Sequence, residues 1–221
     1  MNFLNEIIFK DLINSIISLD PDNIKEETQK ALDQKIDPIE IIEEGFAKGL
    51  KIVGDKYESG EFFLPELIFA AENVKKTIIE LLEPLIARKK EKREPIGVVV
   101  IGTVKGDEHD IGKNIIASFL YAAGFEVYDL GKDVPAEEFV EKAIEVNADI
   151  VGASALLTTT LPEQEEIVNA FKEAGYRDKV KIIFGGATVT QDWVNQIGGD
   201  GFSFDPSDTV KLVKTLLNRE D

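Results

Sequence analysis

The sequence predicts an α + α/β protein, a helical N-terminal half followed by an open five-stranded parallel sheet with helices on both faces. Three observations predict it. Residues 1–88 place their apolar side chains at helical spacing. From residue 96 onward, five short apolar or β-branched runs alternate with five helical patterns, the grammar of a parallel α/β sheet. Between the two lies a charged run that ends in proline.

In the first half, Phe3, Leu4, Ile7, Ile8, Leu12, Ile16 and Ile17 recur near the 3.6-residue period of one buried helix face. Asp20-Pro21 and Asp37-Pro38 each offer a capping carboxylate followed by proline at the first helical position. Beyond Asp37 the stripe continues through Ile41, Ile42, Phe46, Leu50, Val53 and Tyr57, and stops at Ser59-Gly60. A last helix from Pro65 carries Leu67, Ile68, Ala71, Val74, Ile78, Leu81, Leu82, Leu85 and Ile86. Four helices joined by short connections predict a four-helix bundle over 1–88. The run from Arg88 to Pro95 has no apolar face and reads as an exposed linker over 89–95.

The second half, 96–221, opens with Ile96-Gly97-Val98-Val99-Val100-Ile101-Gly102, as expected for a strand buried on both faces. Further strands are expected at Glu126–Leu130, Asp149–Ala153, Val180–Phe184 and, more weakly, Gly201–Phe204. Helices are expected at Ile111–Ala123, Ala136–Asn147, Leu161–Ala174, Gln191–Ile197 and Ser207–Asn218. The result is a flavodoxin/Rossmann-like sheet, in which ligands bind outside the carboxyl ends of the strands near the topological switch point.

Composition narrows the functional classes. No 18-residue apolar run exists to span a membrane, and the start Met1-Asn2-Phe3-Leu4-Asn5-Glu6 lacks the basic, apolar form of a secretory signal. Zero cysteines exclude disulfides and thiol chemistry and point, with the missing signal, to the cytoplasm. A net charge of −17 repels nucleic-acid phosphates and anionic lipid, so neither is expected as a partner.

The chain has one histidine, His109, within Gly106-Asp107-Glu108-His109-Asp110-Ile111-Gly112-Lys113-Asn114, directly after the first strand. Histidine is suited to metal ligation or proton transfer near neutral pH. A zinc site of the usual kind needs three or four Cys or His ligands, which this chain does not have. A surface loop histidine is the plain alternative. Two other rim segments would gather near it: Ser154-Ala155-Leu156-Leu157-Thr158-Thr159-Thr160 after the third strand, and Gly185-Gly186-Ala187-Thr188 after the fourth. Asp107 beside the imidazole would fix its tautomer and raise its basicity as a ligand. No Gly-x-Gly-x-x-Gly or Walker loop follows the first strand, so NAD and ATP are unsupported. A flavin site on the same fold would leave the His-Asp arrangement unexplained.

Asp107-x-His109-x-x-Gly112, Ser154-x-Leu156 and Gly185-Gly186 resemble the three-part signature of cobalamin-binding domains. More narrowly, Gly102 to Asn114 is similar to the methyl-transferring branch, shared by cobalamin-dependent methionine synthase and small corrinoid methyltransferase carrier proteins. The helical half carries Gly54 to Leu67, which resembles that family's cap segment, so the similarity is nearly full-length and weakest at the start.

The resemblance implies a cobalamin bound with its dimethylbenzimidazole displaced, His109 as the lower cobalt ligand, Asp107 hydrogen-bonded to it, and Thr160 holding Asp107 where methionine synthase has serine. It implies that Ser154, Leu156, Gly185 and Gly186 line a slot for the nucleotide tail, and it counts Glu108, Asp110, Ile111, Gly112 and Thr158 among the cofactor-binding residues. From sequence, Leu156 is also readable as ordinary core, and Gly185-Gly186 as a tight strand-to-helix turn. Tyr57, Leu64 and Leu67 map onto cap residues over the upper, methyl-bearing face, and the linker becomes a hinge for opening it. The implied activity is methyl shuttling between Co(I) and methylcobalamin forms. Its partners would be a substrate-specific corrinoid methyltransferase, a second methyltransferase with a tetrahydrofolate or thiol acceptor, and a reductive activase. A cobalamin-dependent sensor and a flavodoxin-like electron carrier are the competing classes.

Overall fold

The computed structural model describes residues 3–88, 95–203 and 205–219. Its helical half comprises α1 (Phe3–Ile17), α2 (Pro21–Asp33), α3 (Pro38–Glu40), α4 (Lys48–Glu58), α5 (Leu64–Thr77) and α6 (Glu83–Arg88). Capping carboxylates start two of these: Asp20 accepts the N–H groups of Asp22 and Asn23, and Asp37 accepts that of Ile39. Proline follows each cap, where its missing N–H costs nothing. The helix expected from Pro65 starts one residue earlier, at Leu64, with Glu66 reaching back to the Phe63 N–H.

Two π-helical stretches join these pieces, Ile41–Ala47 between α3 and α4, and Ile78–Leu82 between α5 and α6, so 38–58 and 64–88 are each one continuous rod. The first has a visible cause. Ile41-Ile42, Gly45-Phe46, Gly49-Leu50 and Val53-Gly54 are all buried pairs, each four residues after the last. A four-residue repeat drifts by about 40° per step on a 3.6-residue helix. Looser winding in the π stretch takes up that drift and keeps the pairs facing inward. Helix α1 packs on α2 and α4, and α5 packs on α4 and α2, which gives four rods joined by short connections.

The α/β half contains β1 (Val98–Thr103), α7 (Ile111–Ala122), β2 (Glu126–Asp129), α8 (Ala136–Val146), β3 (Ile150–Ser154), α9 (Pro162–Glu173), β4 (Lys181–Gly185), α10 (Gln191–Ile197), β5 (Gly201–Phe202) and α11 (Pro206–Leu216). All pairings are parallel, in the order β2-β1-β3-β4-β5. Chain direction along the sheet reverses between β1 and β3, and a crevice opens there at the carboxyl ends. Right-handed crossovers put α8, α9 and α10 on one face, with α8 beside α9 and α9 beside α10, and α7 on the other. Phe139, Val140, Ile167, Phe171, Val194 and Ile197 fill the first of these faces. The fold expected from sequence, a helical bundle followed by a five-stranded parallel sheet, is the fold found.

The described residues divide into two compact units, one within Met1–Glu94 and Ser118–Gly124, the other within Pro95–Ala117 and Phe125–Asp221. The expected linker lies outside the described residues except for Pro95, as does Phe204 at the end of the weakest expected strand. No helix among the described residues is long and apolar enough to cross a membrane.

Lys113, in the first turn of α7, has its side chain almost fully buried and its ammonium on both oxygens of Asp129 at the end of β2, at 2.5 and 2.7 Å, with Asn114 Oδ1 at 2.7 Å. A buried ammonium is tolerated only when it is paired in this way. Replacing Asp129 by alanine strands the charge and is expected to cost about 2–4 kcal/mol, the lower end reflecting the partial exposure of Asp129. Lys113→Met, which removes the charge with its partner still free to hydrate, should cost less. Urea unfolding of the two variants checks this ordering.

Candidate functional site

The site is built on one carboxylate. Asp107 follows the tight turn Val104–Gly106, closed by the Asp107 N–H to the Val104 carbonyl at 3.1 Å, and its side chain has no exposure at all. Oδ1 accepts the His109 backbone N–H at 3.0 Å and faces His109 Nδ1 at 2.8 Å. Oδ2 accepts the Thr160 hydroxyl at 2.7 Å, the Leu156 N–H at 2.7 Å and the Leu157 N–H at 3.3 Å. Burial by itself pushes this carboxyl up. The bonds from the Thr160 hydroxyl, the His109 backbone and ring, and the Leu156 N–H outweigh burial and hold it well below the ordinary carboxylate range.

A carboxylate can only accept, so the proton between it and the ring belongs to Nδ1, and in the neutral imidazole Nε2 carries the lone pair. The imidazole is 52% exposed. The arrangement therefore presents an oriented nitrogen donor on a rigid base at the rim, the form in which histidine serves as a metal ligand. Thr103 donates its hydroxyl to the His109 carbonyl at 3.2 Å, which ties the loop back to the end of β1.

The β3–α9 segment supplies the far side. Ser154 ends β3 half-buried, Leu156 and Thr158 stand exposed, and Thr160 is buried against Asp107. Leu156 is 36% exposed and Leu157 40%, which sets both outside the core. With Ile111 at 56%, they make an apolar surface on the histidine rim. Glu108 and Asp110 lie in the His109 loop and Gly112 in the first turn of α7; Glu108 is exposed and paired with Lys132 at 2.5 Å, Asp110 is half-buried, and Gly112 is exposed.

Gly185 and Gly186 are more than a turn of convenience. A Cβ on Gly186 would stand 1.9 Å from the Ala155 carbonyl oxygen, and its φ of 129° is open only to glycine. A Cβ on Gly185 would stand 2.9 Å from the Ser203 carbonyl. In the same loop Thr188 buries a hydroxyl that bonds to nothing among the described residues. The glycines let these backbones pack closely, and the unsatisfied Thr188 hydroxyl in the same loop fits a polar group of a ligand.

Tyr57, Leu64 and Leu67 belong to the helical unit. Tyr57 is half-buried near the end of α4, Leu64 is exposed at the start of α5, and Leu67 is buried one turn further on.

Three residues that the sequence reading did not single out belong to the rim. Gln164 is fully buried and donates to the carbonyls of Ala153 at 3.1 Å and Gly185 at 3.2 Å, joining the ends of β3 and β4. Its Oε1 accepts from Trp193 Nε1 at 3.1 Å. Asp133 bonds the Gly106 N–H at 2.7 Å. Only Asp133 had a sequence signal, since Gly131-Lys132-Asp133 preceding Val134-Pro135 is a turn composition.

An oriented imidazole at the switch point of a β2-β1-β3-β4-β5 sheet, with Ile111, Leu156 and Leu157 exposed on the same unit, fits a B12-binding protein. Family models described as "B12 binding domain" match residues 97–210 and, for a second model, 8–82. The chain belongs to this family of small corrinoid proteins and binds a cobalamin-type corrinoid. It is 46% identical over 204 residues to trimethylamine corrinoid protein 1 of Methanosarcina acetivorans, covering 92% of this chain and 94% of that one. A crystal structure of a cobalamin-binding protein from Desulfitobacterium hafniense superposes with a TM-score of 0.78 at 36% identity, covering 94% of this chain and 98% of that one. The methanol:cobalamin methyltransferase complex of Methanosarcina barkeri gives a TM-score of 0.80 at 29% identity, covering 96% of this chain and 80% of the matched one.

Two outcomes follow for the protein without cofactor. Gly186→Ala should destabilise by about 3 kcal/mol or more, from backbone strain and the clash with Ala155. Gly112→Ala, with nothing within 4 Å of the added carbon, should leave the unfolding midpoint nearly unchanged. Asp107, with its folded-state value depressed, contributes stability that is fully present above the unfolded carboxylate value of about 4 and is lost as pH falls below it. The stability gap between parent and Asp107→Asn should accordingly narrow between pH 5 and 3, by about 1 kcal/mol. A constant gap across that range contradicts the assignment.

Proposed function

We propose that this protein is a methyl carrier that holds its corrinoid through His109 as the lower cobalt ligand. It would move a methyl group from a substrate-specific corrinoid methyltransferase to a second methyltransferase with a tetrahydrofolate or thiol acceptor. The observation that carries the reading is the 2.8 Å contact between His109 Nδ1 and the buried Asp107, which leaves Nε2 as the donor. When bound, the corrinoid supplies a cobalt centre able to accept and release the methyl group; the protein contributes position, axial ligand and protection.

The residues divide the work accordingly. Asp107 keeps the proton on Nδ1 and makes the ring a stronger donor, and Thr160 and the Leu156 N–H keep Asp107 ionised in place. Ile111, Leu156 and Leu157, all exposed, would offer the corrinoid an apolar bed and keep water from it. Ser154, Thr158 and the Gly185-Gly186 pair border the slot for the displaced nucleotide tail, where the Thr188 hydroxyl gains the partner it lacks. Support for the methyl-transfer role comes from the relative named for trimethylamine and from the methyltransferase complex of similar fold.

His109→Ala is the direct test. The purified variant, loaded with cobalamin, should show the spectrum of a corrinoid without a histidine ligand, and methyl transfer to a partner methyltransferase should fall by about 10- to 100-fold or more. A spectrum identical to the parent's removes the central assignment. Thr160→Ser should retain the parent's cobalamin affinity, whereas Thr160→Ala should lose about tenfold, as read by equilibrium dialysis.

A further inference from the structure

The bonds described so far hold the side chain of Asp107. Its main chain is held from the opposite direction, by the loop between β2 and α8. Asp133 in that loop has φ 55°, a left-handed backbone that few residues other than glycine adopt, aspartate and asparagine more often than most. It makes two bonds to one short stretch of chain: its Oδ1 accepts the Gly106 N–H at 2.7 Å, and its own N–H donates to the Asp107 carbonyl at 3.1 Å. Flanking bonds extend the seam. The Thr103 N–H donates to the Gly131 carbonyl at 2.9 Å, and the Val134 N–H donates to the Thr103 carbonyl at 3.0 Å.

An aspartate that merely forms a turn bonds its own backbone two residues on. Asp133 instead reaches a residue 27 positions away in the chain. Gly106, which it holds, is itself left-handed at φ 77°, so the backbone that turns into Asp107 is an uncommon conformation held by another uncommon conformation. Uncommon backbone of this kind persists where surrounding structure over-determines it, and it gathers at functional sites.

We propose that Asp133 is a positioning residue for His109: by clamping Gly106 and Asp107 from the β2–α8 loop, it fixes the backbone from which the Asp107–His109 pair is aimed. The consequence for the metal rests on the reading of His109 as cobalt ligand. The geometric content does not, because it concerns the imidazole of the free protein.

Three substitutions separate the two parts of the role. Asp133→Asn keeps an acceptor oxygen and tolerates the left-handed backbone. Asp133→Gly keeps the backbone and removes the acceptor; Asp133→Ala removes the acceptor and opposes the backbone as well. The chain has one histidine, so its imidazole nitrogen resonances are assigned without ambiguity. In the cofactor-free protein, Asp133→Gly should raise amide exchange at Gly106 by about tenfold or more. It should also move the Nδ1 resonance away from its hydrogen-bonded position. Asp133→Asn should preserve both, and Asp133→Ala should lose at least as much as glycine. Loaded with cobalamin, the glycine variant should retain the cofactor about tenfold less tightly, and the asparagine variant as tightly as the parent.

The proposal is overturned if Asp133→Gly keeps the parent's Gly106 exchange and imidazole resonance, or if Asp133→Asn loses them as completely as glycine does. A urea midpoint that falls in step with the imidazole signal overturns it too, in favour of a general structural role. His109→Ala read beside these variants keeps the two ideas apart: a parent-like spectrum there defeats the cobalt ligand, while the imidazole resonances of the Asp133 variants still decide the clamp.

Discussion

A carboxylate removed from water organises the rim of this protein. Asp107 is ionised with no solvent contact, a state that burial alone would not permit. It persists because two segments converge on it with donors: its own loop through His109, and the β3–α9 segment through the Leu156 and Leu157 amides and the Thr160 hydroxyl. The dependence runs both ways. Without the carboxylate these amides would be orphaned, and without them the carboxylate would protonate and release the ring.

Much of this was legible in the sequence because parallel sheets leave a strong mark. Strands buried on both faces read as β-branched runs, and the turn that follows the first of them had to lie at the carboxyl rim. Asp107 and His109 could therefore be placed before their distances were known. Thr160 was reached only through a family resemblance, since threonines at 158, 159 and 160 are indistinguishable from sequence, and only folding decides which of them is buried.

The residues that escaped did so for physical reasons. Lysine is assumed to be solvated, so Lys113 gave no hint of its buried pairing with Asp129. Gln164 acts on carbonyls from two strands, a role without any local pattern. In the helical half, the apolar stripe gave four helices correctly but concealed the first π-helical stretch, because a 3.6-residue period was assumed where buried pairs actually recur every four. Leu156 shows the converse: an apolar letter in a run after a strand suggests core, yet the chain leaves it facing outward.

The bond between Trp193 and Gln164 has an optical consequence. Trp193 is the only tryptophan in the chain, and its indole N–H rests on the side chain that joins the ends of β3 and β4 beside Gly185. All of the indole fluorescence thus originates beside the joined ends of β3 and β4. A corrin absorbs where indole emits, so the light that this residue gives off is an internal gauge of corrinoid loading, free of any label.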